Sequence, residues 1–150
     1  GFVVGRAELI TALTKVKSYV DTGPFLALQA AGAWTLDHAE ELVKPIVAEL
    51  QVRRDAAVEA LRAQGFTVEV PIAAMYLWIP LPPGIASADF STRALEEEGV
   101  VTMAGSGFGP GGEGFFRIAL TQPAPRIREA VSRLGRTLAA CRDAVALAQS

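Results

Sequence analysis

Between Leu61 and Phe66 the hydrophobic period of this chain switches, and that switch limits the folds open to it. Before it, Ile46, Leu50, Ala57 and Leu61 mark one helical face, with Arg53, Arg54 and Arg62 mostly on the other. Gly65 is a natural helix terminator. Phe66-Thr67-Val68-Glu69-Val70 then alternates with the two-residue period of a strand, bounded by Pro71. Residues 75–81 predict a second, more buried strand, closed by Pro80, Pro82, Pro83 and Gly84. Ser87 is the expected cap of a helix running to Glu98, with Asp89 near its positive end and Gly99 stopping it. A short strand over residues 100–103 and a glycine-rich loop from Gly105 to Gly114 lead into the strand Phe115-Phe116-Arg117-Ile118-Ala119-Leu120. Pro125 stands near the start of a last helix, striped by Ile127, Val131, Leu134, Leu138, Cys141 and Val145. Short strands interleaved with helices in this way predict an α+β module, a three- or four-stranded sheet backed by helices.

The stretch ahead of the switch reads differently. Leu9, Ile10, Leu13, Val16 and Val20 recur at helical spacing, Asp21-Thr22-Gly23-Pro24 breaks that helix, and Phe25 to Ala31 opens a small-residue helix expected to be well buried. Asp37, with Glu40 three residues on, has the form of a capping box for a long helix that Pro45 is expected to end or kink near Lys44. The expected boundary lies there, dividing residues 1–44 from 45–150. The opening GFVVG reads as a buried strand ending in a turn. Domains seldom begin inside a core strand, so this opening predicts a piece of a longer chain, whose first 32 residues would expose a strand edge and apolar helix faces.

Composition narrows the functional classes. The net charge is −2 and the basic residues are scattered, which argues against nucleic acid and against an anionic membrane surface. No apolar run is long enough to cross a bilayer. The lone Cys141 excludes an internal disulfide and fits a reducing cytoplasm, and the lone His38 argues against a multi-histidine metal site. His38 reads as a surface or capping residue, Trp34, Tyr76 and Trp78 as packing residues, and Glu96-Glu97-Glu98 as a solvated helix end.

Arg117 carries the most chemical information. A guanidinium in the middle of FFRIAL is costly to bury without an anion. It is either an edge-strand arginine with its head in water or a forked grip for a carboxylate, and spacing alone does not choose between them. The glycine-rich GSGFGPGGEG lacks the Gly-Lys-Ser/Thr ending of a phosphate loop and leads into a strand, so a flexible surface loop is the simpler reading. Ser106 has no histidine near it in sequence to make it a nucleophile.

Taken in order, GFVVG, KVKSYVDTGPFLALQAAGA, MYLWIPL, ALEEEGVVTMAGSGFGPGGEGFFRIALTQP and REAVSRL resemble the class I/II aminotransferases of the fold-type I pyridoxal-phosphate enzymes. The likeness is greatest to the branch that holds LL-diaminopimelate and alanine aminotransferases. It implies the end of an α/β cofactor-binding large domain with its connecting helix over residues 1–44, then a small α+β domain over 45–150. It implies pyridoxal 5'-phosphate as cofactor, amino acid and 2-oxo acid substrates, a place in amino-acid biosynthesis, a cytoplasmic homodimer, and Arg117 as ligand of the substrate α-carboxylate. Ser106 and Phe108 would line the mouth of the site, and Thr22 and Gly23 would approach the cofactor phosphate of a neighbouring subunit. The lysine that bonds the cofactor would precede Gly1, leaving this segment inactive alone. Relatives on the same scaffold include β-lyases and C–S lyases, and a non-catalytic binding module is the third alternative. Met103-Ala104-Gly105 and Met75-Tyr76 depart from the usual proline and phenylalanine of the family.

Overall fold

A computed structural model of the chain describes residues 1–21 and 23–148. It divides into two compact units, Gly1–Lys44 and Pro45–Ser150.

The first unit holds α1 (Ala7–Val20), α2 (Leu26–Asp37) and the start of α3 (Ala39–Ala63). The helical spacing of the sequence placed α1 correctly, but no residue of α1 or α2 is buried. The small-residue helix expected in a core is therefore exposed, and it runs six residues past Ala31. GFVVG is not a strand: residues 1–5 are irregular and exposed. Asp37 is the last residue of α2 rather than a cap of α3. His38 follows it, its ring stacked on Trp34 at 4.0 Å and its Nδ1 2.8 Å from the Trp34 carbonyl. Nor does Pro45 end α3, which runs on to Ala63. A proline removes one N–H and clashes one turn back, and the rest of a 25-residue helix outweighs that local loss.

The second unit is built on a three-stranded antiparallel sheet of order β1-β3-β2, with β1 at Tyr76–Pro80, β2 at Met103–Ala104 and β3 at Phe115–Ala119. Leu77, Ile79 and Phe116 are fully buried on one face, as alternation requires. They join Ala57, Val58 and Leu61 of α3, Phe90 and Ala94 of α4 (Ser87–Glu98), and the Ile127-Val131-Leu134-Leu138-Cys141 stripe of α5 (Ala124–Ala148) in one core. Phe66, Phe90 and Phe116 meet at its centre, with ring centroids 4.6 to 6.2 Å apart.

Several local expectations change here. Residues 66–70 form no strand. Phe66 and Val68 are buried and Thr67 and Glu69 exposed, so the alternation holds that far, but Val70 is exposed and the backbone bonds go elsewhere. Phe66 N–H closes the end of α3 on the Leu61 carbonyl, with Gly65 at φ +82°, and the Val68 carbonyl accepts from Arg62. The strand expected at residues 100–103 is displaced to Met103–Ala104. Glu96 and Glu97 are exposed as expected, but Glu98 is half-buried: Arg136 of α5 holds its carboxylate, and Arg133 donates to its carbonyl at 3.1 Å. That grip keeps the Glu98 carboxyl below the usual range. Ser87 begins α4 but does not cap it with its own side chain.

Candidate functional site

The sheet face turned away from the core carries the chemistry. In the β1/β3 register Trp78 lies opposite Arg117 and Tyr76 opposite Ala119, while Met103 of β2 flanks Arg117 on its other side. Arg117 is half-buried, and its Cζ lies 4.2 Å from the centre of the Tyr76 ring and 4.5 Å from that of Phe108. Trp78 meets Phe108 edge-on at 5.5 Å and stacks on Phe115 at 5.6 Å. Two π-faces thus attract the guanidinium, an interaction worth about 0.5–2 kcal/mol that consumes none of its N–H donors.

Those donors are free. Ten of the eleven arginines bond a carboxylate or a carbonyl oxygen, and among the described residues Arg117 alone has neither an ion pair nor a side-chain hydrogen bond. A half-buried cation with five unused donors is a receptor for an anion, and its planar fork matches a carboxylate. A cavity of about 440 Å³ opens beside it, at the edge between β2, the end of β3 and the start of α5. Its polar walls include Gln122, Arg126 and Glu129, the last already paired with Arg126 and Arg133. Tyr76 and Phe108 do not line this cavity, so the two rings approach Arg117 from outside it.

The loop bearing Phe108 has local structure of its own. Two 3-10 turns, Gly105–Phe108 and Pro110–Gly112, fold it back on itself. Gly105 and Gly112 touch backbone to backbone, and a β-carbon on either would stand 2.0 to 2.1 Å from the carbonyl oxygen of the other. The loop's ends are pinned to the start of α4. Glu113 accepts from the Ser87 N–H at 2.8 Å and from the Ser87 hydroxyl at 2.9 Å, and Ser106 N–H donates to Ser87 Oγ at 3.2 Å. The Ser87 N–H, then its hydroxyl, then the Gly114 N–H hold the Glu113 carboxyl below the usual carboxylate range.

Of the residues singled out in the sequence, Arg117 and Phe108 are brought together, and Ser106 lies in the same turn with its hydroxyl 3.1 Å from that of Ser87. Gly23 belongs to the first unit, its N–H bonded to the Asp21 carboxylate at 2.8 Å, and Thr22 falls outside the described residues. Tyr76, read as a packing residue, is a wall of the Arg117 site, and Glu113 was not singled out at all. A lone carboxylate inside Gly-Gly-Glu-Gly was the available signal.

A pyridoxal-phosphate cofactor finds no seat among these groups. The second unit contains no lysine to bond its aldehyde. The Gly23 N–H already serves an anion, Asp21, whose negative charge opposes a phosphate. The described residues contain no cluster fit for a metal ion and no helix long and apolar enough to cross a membrane.

Comparison with known proteins agrees with this architecture. Residues 1–134 match the family model described as aminotransferase class I and II. The LL-diaminopimelate aminotransferase of Syntrophobacter fumaroxidans is 44% identical over 134 residues, which cover 89% of this chain and 34% of that protein. The enzyme of the same name from Moorella thermoacetica is 43% identical, over 92% of this chain and 35% of its own length. A solved structure, a probable N-succinyldiaminopimelate aminotransferase from Thermus thermophilus, superposes with a TM-score of 0.82 at 34% identity, over 90% of this chain and 36% of that one. The chain thus spans about a third of the length of the relatives it matches. With its model matched over most of the chain and its fold shared with solved members, the chain belongs to the class I and II aminotransferases.

Proposed function

We propose that this chain supplies the carboxylate-binding wall of an aminotransferase that moves an amino group between an amino acid and a 2-oxo acid. The observation that carries the reading is Arg117, half-buried, walled by two rings and without an anionic partner among the described residues. Donor and acceptor of a transamination share one group, the α-carboxylate, so one fixed fork serves both half-reactions. Holding that carboxylate on two parallel N–H bonds sets the orientation of the α-carbon, a positional contribution to rate. Phe108 and Tyr76 keep water from one side of the pair, which strengthens the charge-assisted bonds. Pyridoxal 5'-phosphate supplies the electron sink for such chemistry. Its anchors, including the lysine that bonds it, are proposed to lie in the part of the family's length that this chain does not span.

The names of the relatives favour LL-diaminopimelate as an amino-group partner, with a place in biosynthesis. A homodimer and a cytoplasmic location belong to the same proposal. So does the assignment of residues 1–44 to the end of the cofactor-binding domain and of 45–150 to the small domain.

The test is the full-length enzyme with Arg117→Ala. Two charge-assisted bonds at about 1.5–3 kcal/mol each predict a loss in kcat/KM on the order of 10² to 10⁴. Unchanged kinetics with every amino acid tried would sink the role of Arg117. Release of ammonia or sulfide in place of a stoichiometric new amino acid would replace transamination with lyase chemistry.

A further inference from the structure

The two rings beside Arg117 reach it by different routes. Tyr76 stands on β1, whose place the ladder with β3 fixes. Phe108 stands in a 3-10 turn that belongs to no ladder, so its place depends on whatever holds the loop. Besides the Gly105–Gly112 contact, the side chain that holds it is Ser87, which is fully buried. Its single hydroxyl proton goes to the stronger acceptor, the Glu113 carboxylate 2.9 Å away. The oxygen is then left to accept from Ser106 N–H at 3.2 Å and from the Ser106 hydroxyl at 3.1 Å. One buried serine thus grips the entrance of the loop at Ser106 and its exit at Glu113.

We infer that Ser87 and Glu113 are positioning residues for Arg117: their latch sets the turn that stands Phe108 against the guanidinium. This rests on the reading of Arg117 as the carboxylate ligand.

A helix cap alone does not account for the arrangement. The residue before α4 is Ala86, which has no side-chain oxygen, although a serine or aspartate there would cap the helix locally. The cap comes instead from a carboxylate 26 residues away in sequence, which ties the helix start to the loop. The hydroxyl of Ser87 adds nothing to that cap, since it is the Ser87 N–H that Glu113 satisfies. Its contacts all run to the loop. The Glu113 carboxyl, held below its usual range first by the Ser87 N–H, is the charged acceptor of both bonds.

Ser87→Ala in the full-length holoenzyme separates latch from cap, because it leaves the N–H bond to Glu113 and removes every hydroxyl contact. The assay compares the natural amino-acid substrate with the matching amine that lacks the α-carboxylate. The expected result is a rise in KM for the amino acid of about tenfold, the worth of one good hydrogen bond, with the reaction of the amine unchanged. Phe108→Ala should give the same pattern, and the double variant should be no worse than the stronger single one. Glu113→Gln provides a further route should Ser87→Ala fold poorly, with the same selective loss expected. Equal losses on both substrates, no loss on either, or additive losses in the double variant would each overturn the latch. Arg117→Gln separates the two levels of the argument. If it too leaves the preference for the carboxylate intact, the carboxylate reading has failed and the latch falls with it. If Arg117→Gln abolishes the preference and Ser87→Ala does not touch it, only the latch is wrong.

Discussion

Replacing Gly112 with alanine should pull the two halves of the Phe108 loop apart, while the same change one residue earlier should pass unnoticed. A β-carbon on Gly112 would stand 2.1 Å from the Gly105 carbonyl oxygen, 2.7 Å from its carbon and 3.3 Å from Gly105 Cα. Non-bonded heavy atoms settle at about 3.5 Å or beyond, so the two backbones must part by roughly 1 Å or more. All three obstacles are backbone, and no side chain can swing aside to make room. Overpacking of this kind costs about 1–3 kcal/mol. The displacement also falls on the segment between Gly105 and Gly112 that carries Phe108, whose ring centre is 4.5 Å from Arg117 Cζ. A misplacement of about 1 Å near a reacting group is enough for losses on the order of 100-fold. Gly111 is the matched control: a β-carbon there has nothing within 4 Å, and its φ lies outside the left-handed region. Alanine at Gly111 should leave kcat/KM unchanged and raise stability by about 0.4–1 kcal/mol through the unfolded chain. Both variants of the full-length enzyme would be assayed for kcat/KM on the amino-acid substrate and for thermal midpoint. A Gly112→Ala enzyme that matches the parent in both, or a Gly111→Ala enzyme as damaged as its neighbour, would refute the reasoning.

Other expectations follow from the same packing. Phe116→Ala removes a fully buried ring held between Phe66 and Phe90 and should cost about 3–5 kcal/mol in denaturant unfolding; a cost below about 1 kcal/mol would displace the aromatic trio from the centre of the core. Thr137 is 1% exposed and its hydroxyl lacks a partner among the described residues, so Thr137→Val should be stabilising by about 1 kcal/mol, and a lowered midpoint would mean the hydroxyl is engaged. The carboxyls of Glu98 and Glu113 are held low, chiefly by Arg136 and by the Ser87 N–H respectively. Groups more acidic folded than unfolded add stability that is complete above the ordinary glutamate range and vanishes as pH falls through the lowered folded values. Thermal midpoints measured from neutral pH downward should therefore fall on the acid limb, and Glu98→Gln should flatten that limb; a limb of unchanged steepness would contradict the pairing.

What the sequence revealed, and what it hid, follows the range of each interaction. Leu9, Ile10, Leu13, Val16 and Val20 marked α1 because helical period is written within a few residues, and the α5 stripe was legible for the same reason. Residues 66–70 show the limit: alternation fits the buried Phe66 and Val68 but fails at the exposed Val70. It does not report whether a second backbone pairs alongside, and residues 66–70 join no strand. The start of α4 was visible at Ser87, but the group that satisfies its N–H is Glu113, which no local pattern links to it. The glycines of the loop were read as flexibility. Gly105 and Gly112 serve the opposite end, since they allow two backbones to touch and so fix the loop.

Arg117 shows why composition and period alone left its role open. An arginine that merely stabilises a fold finds an oxygen, as ten of the eleven here do. Satisfying Arg117 would have been easy: a carboxylate in place of Met103, its neighbour across the β2/β3 ladder, would sit within reach. The chain places an apolar thioether there and rings on two other sides, groups that attract a cation without taking its hydrogens. The arrangement forgoes the stability of an ion pair at this one position and keeps a forked donor ready, which is the trade expected of a residue whose partner is a ligand. Met103→Glu should therefore stabilise the fold and abolish the grip at once. A variant whose thermal midpoint rises while its KM for amino acids climbs by orders of magnitude would bear that out, and one that keeps its KM would show that Arg117 has another purpose.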